Sequence, residues 1–481
     1  MTSTPSFGII GAGMSGILAA VKLQEAGLPF RVFEKADRVG GTWRENTYPG
    51  IACDVPSHIY SYSFDLNPEW SYFCSPGQEI QQYFEGVVRR FGIDDRIRFS
   101  DAIVRCEWTD DHRWEVETAS GFAETFDFVI AATGILHHPK LPAIDGLDSF
   151  AGPSFHSAQW DHDVELDGKR IGVVGTGSSG VQITGALADR ASELRVFQRT
   201  AQWVVPVEQA AYTDEQKQEF RTDADVLTDL HVKLQQAFND GFATEILDAN
   251  SDMVDGIEQR CSEILAGLSP ELREKLTPDY RPGCKRLVVS HNWYDAIQTP
   301  SVDIVTDDIE RVDETGVVTA DGVHHELDVL VLATGFHVDR FMRPMTITGA
   351  DGLVLDDVWA QRPSAYMAIA IPGFPNFFML NGPNSPVGNF SLIQTAELQF
   401  EYIMDMVERV RSGQMTTAMV SEEAADRFED ERVEAAQDTV WATGCRSWYL
   451  DDRGIPFAWP FAFDRFRREM AEPRLGDYVA G

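Results

Sequence analysis

Phe7-Gly-Ile-Ile-Gly11-Ala-Gly13-Met-Ser-Gly16 decides the fold of this chain. Phe7 to Ile10 predicts a buried strand, and Ile17, Leu18 and Leu23 mark the apolar side of the helix that follows. The glycines between them have separate tasks. Gly11 makes the tight turn, Gly13 lets a pyrophosphate reach the helix N-terminus, and Gly16 lets helix and strand pack closely. A second strand, Phe30 to Phe33, runs into Glu34, a carboxylate placed to accept hydrogen bonds from a ribose. The same plan recurs from Lys169 to Val174, through Gly175-Thr-Gly177-Ser178-Ser179-Gly180, to a strand ending in Val196-Phe-Gln198. Here Arg199 stands where the acid would be, and a guanidinium suits a 2′-phosphate. Two different dinucleotides are therefore expected: FAD at the N-terminal fingerprint and NADPH at the central one. A protein holding both usually passes electrons between them.

Two further strands resemble each other. Phe126 to Ala132 ends in Thr133-Gly134, and Leu327 to Ala333 ends in Thr334-Gly335. Both read as closing strands that meet a dinucleotide, and as crossing points between domains. The stretch from about Pro206 to Tyr280 breaks the pattern, with Leu227, Leu230, Leu234 and Phe238 at helical spacing. It reads as a helical insertion, either over the substrate cleft or as a packed outer layer. Val302 to Val305 resumes the strand pattern, Leu392 to Val410 reads as a helix, and an acidic helix from Glu422 to Thr439 precedes an aromatic tail. The expected fold class is α/β, with two Rossmann-like dinucleotide-binding domains. A discontinuous FAD domain (1–145 and 336–481) would enclose a linker and NADP-binding domain (146–205 and 282–335), itself interrupted by the helical insertion (206–281).

Composition narrows the partners. The 481 residues carry 76 acids against 40 Lys plus Arg, a formal net charge of −36. That balance opposes non-specific binding to nucleic acid or to an anionic membrane surface. It also makes the cations beside the fingerprints conspicuous, because phosphates must be held within a negative overall field. The six cysteines show neither metal-ligand nor C-x-x-C spacing. No stretch approaches a membrane span, and the N-terminus has no signal-peptide pattern, so a reduced, cytoplasmic protein is expected.

The most specific stretch lies between the two nucleotide folds: Phe150-Ala-Gly152-Pro-Ser-Phe-His156-Ser-Ala-Gln-Trp160-Asp161. It is similar to the F-x-G-x-x-x-H-x-x-x-W-D fingerprint of the FAD- and NADPH-dependent Baeyer–Villiger monooxygenases. The chain resembles that family over nearly its whole length. It resembles most the branch typified by 4-hydroxyacetophenone monooxygenase, through Gly40-Gly41-Thr42-Trp43 and Tyr48-Pro-Gly-Ile-Ala-Cys53-Asp54. Thr47 stands where many of the family's cyclic-ketone enzymes have arginine. The resemblance implies oxygenation of an apolar ketone to an ester or lactone by way of a flavin C4a-peroxide, with molecular oxygen as co-substrate.

The resemblance also assigns roles. Arg286, in Gly283-Cys-Lys285-Arg286, would stabilise the anionic oxygen, and Asp54 would orient it. His156 and Trp160 would hold the linker in register, close to catalysis though not as a direct acid or base. For FAD the candidates are Gly11, Gly13, Gly16, Glu34, Gly41, Thr42, Trp43, Asp54, Tyr60 and Asn381. For NADPH they are Gly175, Gly177, Ser178, Ser179, Gly180, Gln182, Arg199, Thr200 and Lys285. The alternative is a flavin-containing monooxygenase that oxygenates nitrogen or sulfur, since the same cofactors serve both reactions. A dithiol oxidoreductase would need a cysteine pair near the flavin, and Cys53 has no close partner in sequence.

Overall fold

The computed structural model describes residues 4–479. Strands β1 (Phe7–Ile10), β2 (Phe30–Phe33), β3 (Ile97–Arg98) and β4 (Phe128–Ala131) belong to one parallel sheet. Strands β5 (Ser154–His156), β6 (Arg170–Val174), β7 (Glu193–Phe197), β8 (Val302–Val305) and β9 (Val329–Leu332) make a second. Strand β10 (Phe377–Met379) then pairs with β4 in the first sheet. The spatial orders are β10-β4-β1-β2-β3 and β8-β7-β6-β9-β5. Helices cover both faces of such sheets, so their strands read as unbroken apolar runs. β1, β4 and β9 are buried at every position.

Helix α1 (Met14–Glu25) follows the first glycine loop, and helix α2 (Ser178–Leu187) follows the second. The two halves share one construction. Gly11 and Gly175 have φ of 99° and 109°, a region open to glycine and strained for other residues. A β-carbon there would lie 2.7 Å from the Ala132 carbonyl oxygen in the first case and 2.5 Å from that of Ala333 in the second. The matching Ala-Thr-Gly ends of β4 and β9 are thus the walls against which each glycine loop turns. One turn into each helix, a β-carbon on Gly16 or Gly180 would meet the carbonyl oxygen of its own loop at 1.9 or 2.0 Å.

Some expected elements differ in detail. The run from Phe126 to Ala132 is split. Ala123–Phe126 pairs antiparallel with Trp114–Thr118, and β4 begins at Phe128. Asp127 makes the break, its carboxylate accepting from the Ser6 amide (2.8 Å) and hydroxyl (2.7 Å). The acidic helix stops at Ala436, before a short 3₁₀ turn from Val440 to Thr443.

The stretch 206–281 is helical, as Asp214–Thr222, Ala224–Gln236, Asp252–Ala266 and Pro270–Leu276, with a short Val204–Pro206 strand at its entry. Its expected leucine stripe is only partly the buried face. Leu227 and His231 are buried, whereas Leu230 and Leu234 are half-buried. Phe238 falls in a π-helical segment, Ala237–Phe242, whose wider turn breaks the 3.6-residue phase. This insertion is anchored on the first half of the chain. The His231 Nδ1 lies 2.6 Å from the His58 carbonyl oxygen, and the Asn239 amide donates to Gln394 at 3.0 Å.

Candidate active site between the two nucleotide folds

The loop after Gly40-Gly41 carries the site from one side. Gly41 caps the short helix Thr42–Glu45, and the Trp43 indole N–H donates to the Tyr60 hydroxyl at 2.9 Å. The chain then runs through Tyr48 and Gly50 to Cys53 and Asp54. From the second half comes Arg286, just ahead of the Val288–Ser290 strand. Its Nη2 donates to Asp54 Oδ2 at 2.6 Å and its Nε reaches the same oxygen at 3.2 Å. The sequence offered no local link between residues 54 and 286, yet the fold brings them into one ion pair. The Asp54 carboxylate holds the guanidinium pKa well above its ordinary value, outweighing the opposite effect of burial. Arg286 is therefore a permanent cation with a fixed direction. A half-buried charge is tolerable when paired and hydrogen-bonded in this way.

Tyr449, from the aromatic tail, is a further member of this group. It is buried beside Arg286, and burial raises its pKa while the guanidinium partly offsets the rise. No motif marks it, because it arrives from the far end of the chain. Cys53 also has a spatial neighbour that its sequence position conceals, the free buried Cys74. Burial pushes Cys53 well above its usual value and Cys74 up to about 12, so both stay thiols rather than the thiolates that dithiol exchange needs.

The first fingerprint fits a dinucleotide. The backbones of Gly13 and Gly41 face each other so closely that a β-carbon on Gly41 would lie 3.0 Å from the Gly13 Cα. Glu34, buried, accepts from the Ala12 amide (2.7 Å) and the Ala36 amide (2.9 Å), which fixes its carboxylate at the mouth of the loop. The Asn381 side chain donates to Ser15 in the first turn of α1 at 3.0 Å. Nearby, both side-chain polar atoms of buried Asn389 and the Gln399 amide nitrogen have no protein partner. Buried polar atoms are normally satisfied, and a polar ligand is one means of doing so.

The second fingerprint fits one too. Ser178 opens α2, and a β-carbon on Gly177 would meet nothing within 4 Å, leaving open space at the helix N-terminus. The Thr176 hydroxyl donates to the Thr200 carbonyl at 3.3 Å, tying the loop to the end of β7. Arg199 is exposed there, and neither it nor Lys285 makes an ion pair among the described residues. Burial lowers the Lys285 pKa, the Asp279 carboxylate opposes that, and Arg199 is close enough to lower it further. Lys285 also rests 4.4 Å from the centre of the Tyr280 ring. Two neighbouring cations that make no ion pair among the described residues, in so acidic a chain, suit an anion.

The side chains of Gln182 and Ser179 also reach across to the first half of the chain. The Tyr48 hydroxyl donates to Gln182 Oε1 at 2.9 Å, and the Gln182 amide donates to the Ala52 carbonyl at 3.0 Å. The Ser179 hydroxyl donates to the Tyr48 hydroxyl at 3.1 Å. These side chains fasten α2 to the loop that bears Asp54. His156 and Trp160 serve the linker. The His156 Nδ1 accepts from the Ala158 amide (3.1 Å), which leaves the Nε2–H to donate to the Gly335 carbonyl (2.9 Å). Burial lowers its pKa, consistent with that neutral tautomer. Trp160 is buried in the core of the second half, edge-on to Phe155 at 5.0 Å. Both act on backbone and packing.

Cys284 and Cys445 are joined by a disulfide, which corrects the expectation of a fully reduced protein. They are 161 residues apart, so spacing gave no hint.

Residues 6–345 match the flavin-binding monooxygenase-like family, and the chain belongs to it. It is 47% identical to an uncharacterized monooxygenase of Mycobacterium tuberculosis over 98% of this chain and 96% of the relative. It is 40% identical to a Baeyer–Villiger monooxygenase of Streptomyces coelicolor, over 98% and 91%. Among solved structures, cyclohexanone monooxygenase with bound ε-caprolactone superposes with a TM-score of 0.87 at 30% identity, covering 99% of each chain. Oxidized steroid monooxygenase bound to NADP superposes with a TM-score of 0.86 at 29% identity, over 98% and 97%.

Proposed function

We propose that this protein is an NADPH-dependent Baeyer–Villiger monooxygenase that converts an apolar ketone to an ester or lactone. In this reading the first sheet with its returning strand β10 is a discontinuous FAD domain, and the second sheet is the inserted NADP domain. The relatives that carry Baeyer–Villiger, lactone-bound and NADP-bound descriptions support it. The observation that carries it is the Arg286–Asp54 ion pair (2.6 Å) between the two nucleotide folds.

Bound flavin would supply the relay of electrons from nicotinamide to dioxygen; the protein supplies position and charge. Glu34 would take the FAD ribose and Asn381 would close over α1. Arg199 and Lys285 would hold the 2′-phosphate that distinguishes NADPH. Arg286 would face the oxygen on which negative charge builds as a carbonyl is attacked. Asp54 fixes its direction, so no reorganisation is needed when that charge appears. A ketone needs no proton taken from it in this role, which suits a site where Tyr449 and Cys53, beside the Arg286–Asp54 pair, are held protonated by burial.

Oxygenation of nitrogen or sulfur is the competing reading, and the two differ in product. Purified protein given FAD, NADPH, oxygen and a panel of cyclic, aryl and steroidal ketones should yield esters or lactones with matched NADPH consumption. Formation of N-oxides or sulfoxides from amine and sulfide controls, with no ester from any ketone, would favour the alternative.

A further inference from the structure

The Cys284–Cys445 bond joins two parts of the chain that both end at Arg286. Cys284 is fully buried and precedes Lys285 and Arg286 directly. Cys445 is half-buried, with Ala442, Thr443, Gly444, Arg446 and Trp448 exposed around it and Val440, Trp441 and Tyr449 buried. A few residues on, the Tyr449 hydroxyl reaches the guanidinium side of the site. It is wedged there: a β-carbon on Gly388 would lie 1.9 Å from that oxygen. The hydroxyl itself has no oriented protein acceptor, and the Tyr449 backbone is held by the Phe457 amide, which donates to its carbonyl at 2.6 Å. The packing is small, with Leu247, Val440, Trp441 and Ala458 around Cys284, and the Val440 amide donating to the Leu247 carbonyl at 2.6 Å.

We infer that the Cys284–Cys445 disulfide is a redox-operated clasp, which holds the segment 440–450 and its Tyr449 against Arg286 and lets them go when it is reduced. Cross-linking the segment to residue 284 raises its effective concentration at the site, in the manner of any tether. The reductant required is a dithiol. Its thiolate attacks the accessible Cys445 sulfur, and Cys284 leaves as a thiolate and takes up a proton. The second thiol of the reductant then displaces Cys445, which also ends as a thiol. Two electrons and two protons enter the protein, and the reductant departs as a disulfide. The other four cysteines are buried and unpaired, so exchange is directed to this one bond.

The effect on turnover rests on the oxygenase reading; the clasp does not. The test uses full-length FAD-loaded protein, with dithiothreitol as the dithiol. Peptide mapping without reductant should recover residues 284 and 445 in one linked species, and dithiothreitol should separate them. Limited trypsin cleavage after exposed Arg446 should quicken at least about 10-fold on reduction. Cys445→Ser should be cleaved at the fast rate with or without dithiothreitol. Absence of the linked peptide, or equal cleavage rates in the oxidised and reduced protein, would overturn the clasp. Failure to oxygenate any ketone while cleavage still responds to dithiothreitol would count against the proposed reaction and leave the clasp standing.

Discussion

Replacing Arg199 by alanine should convert a selective nicotinamide site into an indifferent one. The residue is exposed at the end of β7 and has no carboxylate partner among the described residues, so no protein contact competes for its guanidinium. A hydrogen bond to a charged group contributes about 1.5–3 kcal/mol. Loss of that interaction corresponds to about 10- to 150-fold in kcat/KM for NADPH. NADH lacks the 2′-phosphate and should be unaffected within about twofold. Lys285→Ala should move in the same direction by less, because an ammonium is a point charge without the planar fork. The double variant should treat the two nucleotides nearly alike. The assay is steady-state oxidation of each nucleotide at fixed ionic strength, since exposed charges are screened by salt. Equal losses for NADPH and NADH would refute the phosphate assignment.

The two glycines of the second loop should fail differently. Gly177→Ala finds open space and an extended φ of −72°, so it should keep the melting temperature while raising the NADPH KM at least about 10-fold. Gly180→Ala must displace the Gly175 carbonyl, 2.0 Å away, and should cost about 1–3 kcal/mol in stability as well. Matching melting temperatures for the two variants would contradict this. His58 gives a pH signature: burial, with help from His231, lowers its pKa from 6.5 to about 4. Below pH 6.5 the unfolded chain binds a proton that the native one refuses. Stability is thus complete above pH 6.5 and is lost as pH falls towards 4, by about 2 kcal/mol between pH 8 and 5. His58→Phe, packed edge-on to Tyr212 and Phe220, should narrow the gap between melting temperatures at pH 8 and pH 5, and an unchanged gap would refute the assignment.

The nucleotide folds were legible because each depends on short-range pattern. Apolar runs, glycines at fixed offsets and one residue at a strand end determine a strand, a loop and a preference between phosphate and ribose. The repeated Ala-Thr-Gly ends were visible as a likeness, but their purpose needed coordinates: Ala132 and Ala333 set the walls for Gly11 and Gly175. What local pattern cannot express was missed. Tyr449 and the Cys284–Cys445 bond join positions far apart in sequence. Gln182 follows the glycine loop in sequence, and only the fold shows its side chain bonded to Tyr48 and to the Ala52 carbonyl. The leucine stripe of the insertion failed for a local reason of another kind. A π-helical segment shifts the phase at Phe238, and His231 takes a buried place expected of an aliphatic side chain. Arg286 and Asp54 were reached only through family resemblance; their 2.6 Å contact gives that pairing its physical basis.

The central claim is that a permanently charged Arg286, aimed by Asp54, lowers the barrier for oxygen transfer to a carbonyl. Rapid mixing of FAD-loaded Arg286→Ala protein with NADPH, oxygen and an accepted ketone measures the two halves of the reaction separately. Flavin reduction should proceed at close to the wild-type rate. Ester formation should fall by about 10²–10³-fold, the scale of about 2.7–4 kcal/mol for removing one preorganised donor. Ester produced by that variant at the wild-type rate would contradict the account.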